Sequence, residues 1–500
     1  MAPVFEFGDP VNIPLIGAAC LAIYVVGNIF YRLFLDPLRS IPGPFLWRFT
    51  NLPRVYHILK GDIHAKVLEL HVKYGPVLRL TPYEVVFSDP QAWKDIYGHR
   101  VGDALENPKW PQFYKANTDL AESFFTAERK EHAIQRRQLS HGFSDKSMRE
   151  QESLIKGYVE LLIQRLHENA QNGAARLNMR DWYNWTTFDV IGDLGFGRSF
   201  GCLADTGYHP WVKLITQTFR ESAAFQSLAH LGLRPVVKYA YRLGLMVKNK
   251  ENLNLVAETL QERIKLGKER PDLIDGFVKK KDELGMSFES LVSSANLLIV
   301  AGSETTATLL SGATFLLTTN PDKLAKVTEE VRSCFESDQE ITLTSVSRLP
   351  YMLACLNEAL RQYPPATSDL PRVTPKGGAT ILGRSLPEGT VVSVFQYAVN
   401  YDPRFWKNPF KFAPERWLDD PEYKDDQQDA MQPFSTGPRN CIGRNLAYAE
   451  MRLILAKILF NFDMSIDDES LNWFSNQRAF SVWEKPPLYI HLTPVTKKSE

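Results

Sequence analysis

The chain carries the run Phe434-Ser435-Thr436-Gly437-Pro438-Arg439-Asn440-Cys441-Ile442-Gly443, followed by the helical pattern Arg444-Asn445-Leu446-Ala447-Tyr448-Ala449-Glu450. Gly437 and Gly443 allow positive φ and a close backbone approach on either side of Cys441. Phe434 is placed to shield the sulfur from water, and Arg439 provides a cation two residues before it. A helix that begins just behind the sulfur favours its thiolate form. The run therefore predicts a metal-ligating thiolate rather than a buried small hydrophobe.

This run resembles the cysteine-ligand loop of the haem-thiolate monooxygenases, the cytochromes P-450, and the resemblance extends from the hinge near Ile41 to the C-terminal strands. It implies haem b (iron protoporphyrin IX) with Cys441 as the axial thiolate ligand of the iron. Phe434 and Gly443 would belong to the cofactor loop, and Arg439 would bind a haem propionate. The implied fold is mainly α-helical with a minor β-sheet portion, in one large domain.

Composition and charge exclude other classes of protein. The chain has 500 residues, of which 44% are hydrophobic, enough for a large core. Basic and acidic residues both number 58, so no excess charge indicates a nucleic-acid partner. The five cysteines show neither CxxC nor Cys/His zinc spacing, which favours unpaired thiols in a reducing compartment. They are Cys20, Cys202, Cys334, Cys355 and Cys441.

The N-terminal segment predicts a membrane anchor. The chain is mostly apolar from Val11 to Phe30, and twenty helical residues span about 30 Å, one bilayer core. Two acidic residues precede this segment and two arginines, Arg32 and Arg39, follow it, which places the globular part on the cytosolic side. A cleaved signal peptide is the alternative, but a basic n-region and a clear cleavage site are lacking.

We predict three regions from this pattern. An anchor over 1–36 and a Pro/Gly-rich hinge over 37–50, containing Ile41-Pro42-Gly43-Pro44, precede a catalytic domain over 51–500. The resemblance implies a single-pass protein of the endoplasmic reticulum membrane with a cytosolic catalytic domain.

Hydrophobic periodicity predicts a mostly helical globule. The predicted helices are 62–73, 128–141, 150–168, 181–197, 253–267, 288–319, 322–336, 345–362 and 444–462. The predicted strands are 77–80, 84–87, 379–381, 391–395 and 488–492. Neither a P-loop nor a convincing dinucleotide fingerprint is present. Electrons are therefore expected from another protein, by resemblance an NADPH–cytochrome reductase, with cytochrome b5 as a further possible donor.

The stretch Ala301-Gly302-Ser303-Glu304-Thr305-Thr306 lies in the middle of the predicted 288–319 helix. A glycine beside an acid and two hydroxyl residues suits a helix that opens locally over a ligand. The resemblance implies that Ala301 and Gly302 leave room above the iron. Thr305 would donate to bound dioxygen, and Glu304 would relay protons from solvent. The alternative is a helix kink with a buried, satisfied hydroxyl.

Two further groups of residues are assigned by the resemblance. Glu358 and Arg361 are three apart on one helical face, and with Arg416 they would form a structural ionic triad behind the haem. The haem propionates would be bound by His132 and Arg136, which share a helical face, together with Arg372 and Arg439. The alternative for each basic residue is a solvated side chain. Lys130, Arg137 and Arg444 would form a basic docking surface for an acidic flavoprotein; the alternative is ordinary surface charge, since exposed basic residues are common.

The substrate is the least constrained prediction. Candidate walls are rich in Phe, Leu, Ala and Trp, which favours a medium-sized apolar molecule, although each aromatic could be simple core. These walls are Gly98–Glu122, Gly207–Leu245, Thr367–Leu370 and Phe480–Trp483. The segments Gln362-Tyr363-Pro364-Pro365 and Leu370-Pro371-Arg372-Val373 resemble fungal microsomal enzymes of the isotrichodermin-hydroxylase type, which implies a terpenoid, polyketide or alkaloid intermediate of secondary metabolism.

Three functions remain open at this point. A dioxygen-activating monooxygenase would carry out hydroxylation, epoxidation, desaturation or a multi-step oxidation. A haem-thiolate isomerase or dehydratase would need no reductase, and a non-catalytic haem-binding protein would need no substrate. The Glu304-Thr305 pair favours the monooxygenase.

Overall fold

The computed structural model describes residues 12–100, 106–115, 120–245, 247–265, 272–280, 283–475 and 477–496. The side chains of residues 12, 210–218 and 247–249 lie outside this description. Part of the predicted substrate wall Gly98–Glu122 therefore lies outside the described residues, and so do the side chains of 210–218 in the wall Gly207–Leu245. The same holds for Val11 and the first ten residues of the predicted anchor.

Helices dominate the described chain. In chain order they are α1 Asn12–Phe30, α2 Leu52–Lys60, α3 Ile63–Tyr74, α4 Pro90–Tyr97, α5 Pro111–Tyr114, α6 Arg129–Ser140, α7 Asp145–Glu150, α8 Glu152–Asn169, α9 Met179–Phe196, α10 Cys202–Asp205, α11 Pro210–His230, α12 Arg234–Arg242, α13 Val247–Lys265, α14 Asp275–Lys280, α15 Phe288–Thr318, α16 Pro321–Cys334, α17 Pro350–Gln362, α18 Gln396–Asn400 and α19 Arg444–Asn461.

Small sheets accompany the helices. The strands are β1 Val77–Thr81, β2 Glu84–Phe87, β3 Arg176–Asn178, β4 Arg372–Val373, β5 Ala379–Ile381, β6 Arg384–Leu386, β7 Val391–Val394, β8 Phe462–Ile466, β9 Arg478–Phe480, β10 Val482–Glu484 and β11 Tyr489–Pro494. The largest sheet has the order β1-β2-β7-β4, with β2 and β7 parallel in the register Glu84 to Val391. A three-stranded sheet has the order β3-β11-β8, and β9-β10 and β5-β6 are antiparallel pairs.

The mainly α-helical prediction with a minor sheet is confirmed. One predicted helix is wrong at its start: residues 345–348 form a 3-10 turn, and α17 begins only at Pro350. Proline lacks the N–H that an interior helical position needs, but it suits the first turn. The predicted helix over 253–267 ends beyond Lys265, outside the described residues.

The long helix α15 forms the centre of the globule. Its 31 residues extend about 46 Å, and its second half from Thr306 onward is almost wholly buried. It crosses α9 closely at Gly302, where an added Cβ would lie 2.8 Å from Ile191 Cδ1. Tyr363, just after α17, packs equally closely on Gly312, because a Cβ there would lie 2.3 Å from its ring. These glycines let neighbouring elements reach the helix axis.

The N-terminal helix differs from the rest because its apolar side chains are exposed. Residues Ile13–Leu35 are long and apolar enough to cross a bilayer by length and composition, and this segment is not buried in the protein. A core helix of the same composition would bury these side chains. The finding agrees with an anchor, although a signal sequence passes the same test.

The predicted hinge packs against the largest sheet. Asp36 is buried between Arg32 and Arg79, which approach its Oδ2 to 2.7 and 2.5 Å. Arg79 also donates its backbone N–H to the Pro42 carbonyl at 2.7 Å, and Ile41 is buried. Residues 36–42 therefore join the apolar helix to β1 by specific contacts.

A buried carboxylate connects α17 to the segment that follows α18. Glu358 accepts from Arg361 at 2.7 and 2.9 Å and from Arg416 Nε at 3.0 Å, and these three side chains are fully buried. Trp417 Nε1 and the Ala413 N–H also donate to it at 3.1 Å. Both carboxylate oxygens are satisfied, which is the condition under which a buried charge is tolerated.

Removing one partner from this network should be costly. We expect Arg361→Met to lower the free energy of unfolding by about 3–5 kcal/mol, because it leaves a buried carboxylate short of its cation. Arg165→Met is the matched control, since Arg165 and Glu168 form an i,i+3 helical pair that is 31% and 42% exposed. That variant should lose less than about 1 kcal/mol in urea denaturation followed by circular dichroism. Equal losses would contradict the structural importance of the buried network.

Candidate functional site

The loop before α19 holds Cys441 by local backbone contacts. Its N–H donates to the Phe434 carbonyl at 2.8 Å, which closes the loop on itself. Gly437 has φ +77, and an added Cβ would lie 1.9 Å from the Tyr97 carbonyl oxygen, so only glycine fits there. The expectation of positive φ at Gly443 is wrong: its φ is −84, and an added Cβ would make ordinary contacts at 3.8–3.9 Å.

The sulfur is surrounded by groups that favour a negative charge. Burial raises the pKa of the Cys441 thiol, whereas the Gly443 N–H, Arg136 and Arg444 act to lower it. The Cys441 side chain is nevertheless accessible, so it faces open space within its closely packed loop. Burial alone would keep the thiol protonated; a metal ion on the sulfur would remove the proton.

Two predicted cofactor residues hold the loop itself. Arg136 on α6 donates to both the carbonyl and Oδ1 of Asn440 at 2.6 Å, next to the cysteine. Arg439 donates to Glu106 at 3.1 Å and to the Ala127 carbonyl at 2.7 Å. Arg372 on β4 is buried, donates to the Asn107 carbonyl at 3.2 Å, and keeps Nε without a partner among the described residues.

These basic groups converge on His132. Burial first, and then the charges of Arg439, Lys109, Arg136 and Arg372, lower the pKa of this buried histidine to about 3. A cavity of about 420 Å³ lies beside them, lined in part by His132, Arg136 and Arg439. Such a concentration of cations matches the carboxylates of an anionic ligand.

Lys109 is a member of this group that the sequence analysis missed. Its Nζ lies 4.8 and 4.4 Å from the ring centroids of Tyr114 and Phe125 and donates to the Phe125 carbonyl. Burial and the neighbouring arginines lower its pKa to about 6. No motif surrounds Lys109 in the sequence; only the pairing of its backbone with Arg372 brings it here.

On α15, Ala301 is exposed and Thr305 is partly exposed, although the helix lies in the core. The two residues are four apart and so share one face, which opens on internal space. The Thr305 hydroxyl donates to the Ala301 carbonyl at 2.6 Å, as expected of a hydroxyl that replaces a backbone hydrogen bond, and the segment is α-helical throughout. The local opening of the helix stays a prediction. A Cβ added at Gly302 would point toward Ile191 of α9 rather than toward that open face.

Glu304 is buried on a different side of the same helix. Lys485, just beyond β10, forms an ion pair with Glu304 Oε1 and donates to Thr308 Oγ1 at 2.6 Å. The Thr308 hydroxyl donates to the same carboxylate oxygen at 3.3 Å. The sequence offers no signal for Lys485, because 181 positions separate it from its partner.

The predicted substrate walls differ from one another. Trp483 is core: it stacks on Tyr363 with ring centroids 4.8 Å apart and donates Nε1 to the Pro364 carbonyl at 2.8 Å. The walls Thr367–Leu370 and Phe480–Trp483 lie side by side, because the Thr367 N–H donates to the Ser481 carbonyl at 3.2 Å.

The predicted docking residues lie at the surface. Lys130 and Arg137 on α6 and Arg444 at the start of α19 are exposed, near the loop that Arg136 joins to α6.

The arrangement fits a haem group on three observations. Cys441 presents an accessible sulfur, the α15 face at Ala301 is open, and the His132 cluster supplies cations with an unsatisfied Arg372 Nε. A flat ligand with two carboxylates uses all three kinds of surface. The donor chemistry agrees with haem b.

Comparison with known proteins gives a consistent result. A family model described as "Cytochrome P450" matches residues 41–492. The chain is 49% identical over 485 residues to "Cytochrome P450 monooxygenase tpeC" of Talaromyces stipitatus, covering 96% of this chain and 95% of that protein. It is 43% identical to "Trichothecene C-15 hydroxylase" of Fusarium sporotrichioides, with coverage of 98% and 100%. It is 41% identical to "Averantin hydroxylase" of Dothistroma septosporum, with coverage of 96% and 91%.

The close approach at Gly437 can be tested by adding one methyl group. We expect Gly437→Ala to be destabilising and to reduce haem retention, because both backbone strain and the Tyr97 carbonyl oppose a Cβ. Gly389→Ala is the control, since φ is +81 there and nothing lies within 4 Å of the added atom. Gly389→Ala should lose only the free energy of backbone strain at positive φ, about 1–2 kcal/mol. Thermal denaturation measures both variants, and equal losses would contradict the steric argument.

Proposed function

Because the chain belongs to the cytochrome P450 family, we propose that Cys441 is the thiolate ligand through which this monooxygenase binds the iron of haem b. The observation that carries the proposal is the accessible Cys441 sulfur, with the Gly443 N–H directed at it and α19 beginning three residues later. The N-terminal end of a helix and directed N–H groups stabilise a thiolate.

The propionates are assigned to His132, Arg136, Arg372 and Arg439, with Lys109 as a further basic group. The charges of these residues act together on His132, and His132, Arg136 and Arg439 line one cavity, which supports this assignment. Phe434 would cover the sulfur on the outer side, since its ring lies 5.4 Å from that of Tyr448 at the half-buried edge of α19. Haem held in this way supplies dioxygen binding and reductive activation.

Thr305 and Glu304 are assigned the proton chemistry. The Thr305 hydroxyl lies on the open face of α15, where rotation away from the Ala301 carbonyl would let it donate to an oxygen ligand. Ala301 leaves that face free of bulk, and Gly302 keeps α15 and α9 in close contact. Glu304 supplies the ionisable group behind Thr305. The presence of this acid and alcohol favours oxygen activation over a reductase-independent isomerisation.

Electrons would come from a membrane-bound NADPH–cytochrome reductase, with cytochrome b5 as a second possible donor. Exposed Lys130, Arg137 and Arg444 lie on the elements next to the cysteine loop, where an acidic donor surface would approach. The apolar N-terminal helix would hold the enzyme in the endoplasmic reticulum membrane beside that reductase. Positions 1–36 would be the anchor, 37–50 a hinge and 51–500 the catalytic domain.

The substrate is proposed to be a medium-sized apolar intermediate of fungal secondary metabolism, a terpenoid, polyketide or alkaloid. The names of two relatives, which act on trichothecenes or averantin, support this class. The reaction would be a hydroxylation, epoxidation, desaturation or multi-step oxidation, selected by how the walls orient the substrate.

Replacing the proposed ligand tests the assignment directly. We expect Cys441→Ala to abolish the family's diagnostic absorption band of the reduced carbon monoxide complex, because that band requires a cysteine thiolate bound to the iron. Cys355→Ala is the control: this cysteine is also free but is buried in α17, and its variant should keep the band. Persistence of the band in Cys441→Ala would refute the assignment.

The reaction class is tested by turnover with labelled dioxygen. Microsomes holding the full chain and a fungal NADPH–cytochrome reductase are supplied with extracts of the host strain lacking this gene. We expect NADPH consumption and, for a hydroxylation or an epoxidation, a product that carries one labelled oxygen atom; a desaturation would consume NADPH without leaving label in the product. A product formed without NADPH and without label would instead identify an isomerase or dehydratase.

A further inference from the structure

The strongest feature outside the motifs is the buried pair of Lys485 and Glu304. Lys485 is 8% exposed and Glu304 is 4% exposed. Lys485 follows the β9–β10 hairpin and bonds at once to Glu304 and to Thr308, one turn along α15. A buried lysine is costly unless a carboxylate balances it, so the pair is a specific construction.

The helix directs this pair away from the open face. Successive residues of an α-helix are separated by about 100°, so positions 301 and 305 share one side and positions 304 and 308 share another. The exposure agrees: Ala301 is open, whereas Glu304 and Thr308 are buried against the hairpin. Glu304 therefore contacts Lys485 and Thr308 on a side of α15 different from the side on which Thr305 lies.

A cavity of about 200 Å³ adjoins Glu304 on that second side. Its lining comes from α9, α11, α15 and the hairpin, and includes Arg180, Asn184, Arg220, Glu304, Glu484 and Lys485. Glu304 Oε2 and Asn184 Oδ1 are buried without a hydrogen-bond partner in the part of the chain that the structure describes. Tyr208, Phe219, Phe480, Val482 and Trp483 complete a lining that is more apolar than polar, so bound water is expected beside the two acceptors and the charged groups.

The cavity extends to the surface. Arg220 and Glu484 approach to 3.9 Å, with side chains 57% and 48% exposed, so they form a loose, solvated rim. Arg180 and Asp181 on α9 are 2.7 Å apart and largely balance each other's charge near Lys485. Lys485 is thus the cation in contact with Glu304. Burial lowers its pKa, and the Glu304 carboxylate opposes that shift.

We propose that Lys485 is a positioning residue that holds Glu304 as a carboxylate at the inner end of this cavity, and that the protons of the reaction enter here. The inference rests on the proposed function. Formation of one alcohol and one water from a C–H bond and dioxygen consumes two electrons, supplied through the reductase, and two protons. Glu304 accepts each proton from cavity water, passes it toward Thr305, and returns to the ionised form beside Lys485.

The test compares two oxidants. With NADPH, reductase and dioxygen, Lys485→Met should lower the product formed per NADPH consumed by about tenfold, with peroxide released instead. This is less than the roughly hundredfold or more contributed by a group that transfers the proton itself, because Lys485 acts through Glu304. Hydrogen peroxide brings the oxygen atom together with both electrons and both protons. Turnover driven by added peroxide should therefore stay within about twofold of wild type. Lys485→Arg keeps the charge and should restore the amount of product formed per NADPH consumed.

Lys457→Met is the matched control. Lys457 on α19 is fully buried and paired with Asp338, away from the cavity. Its loss should therefore affect stability but not the product formed per NADPH consumed. Thermal unfolding adds a readout that is independent of turnover. The destabilisations by Lys485→Met and Glu304→Gln should be non-additive, whereas Lys457→Met and Glu304→Gln should add. If Lys485→Met fails to fold, Lys485→Gln replaces it, since its amide can still bond Thr308.

Three outcomes would overturn the inference. If Lys485→Met forms as much product per NADPH consumed as wild type does, proton delivery does not depend on this cation. Equal loss with NADPH and with peroxide would identify a purely structural lysine. A wild-type enzyme that forms no oxygenated product with either oxidant would remove the proposed function as well, and this result differs from the first two in the behaviour of the unmodified protein.

Discussion

The carboxylate of Glu358 is the interaction on which the cofactor half of the molecule depends. Two guanidinium groups, an indole N–H and a backbone N–H converge on its two oxygens with no exposed surface. This single group joins α17 to the 3-10 turn at Pro414–Trp417, from which the chain proceeds to the cysteine loop. A buried charge tolerates little displacement of its partners, so the network fixes where that loop begins.

The cysteine loop, which begins from this fixed point, positions the sulfur of Cys441. Arg136 and the Phe434 carbonyl hold the backbone on each side of the sulfur, and Gly437 allows the contact with Tyr97. In the basic cluster nearby, basic groups outnumber carboxylates, whereas the charge of Glu358 is balanced by its partners. His132 faces three arginines and Lys109, and the carboxylates of Glu106 and Glu128 act on this group. Its positive charge favours an anionic ligand, and two propionates would supply the balance.

Much of this could be predicted from sequence because the signals are local. The Glu358–Arg361 spacing, the glycines around Cys441 and the apolar period of α15 each lie within one element. Contacts between distant segments carry no such pattern. Lys485 reaches Glu304 across 181 positions, and Lys109 reaches its cluster through a bridge to Arg372. The roles of single glycines were also beyond the sequence, since Gly302 serves contact with α9 and Gly443 has ordinary backbone angles.

The geometry of α15 explains why an acid and an alcohol stand side by side in its sequence. Adjacent residues on a helix point about 100° apart, so Glu304 and Thr305 cannot occupy the same environment. Thr305 lies on the open face with Ala301, whereas Glu304 is buried with Lys485 and Thr308. Under the proposed function, Glu304 would exchange protons with water in polar surroundings, and Thr305 would face the oxygen ligand. One helical step thus separates an open face from a buried, polar one.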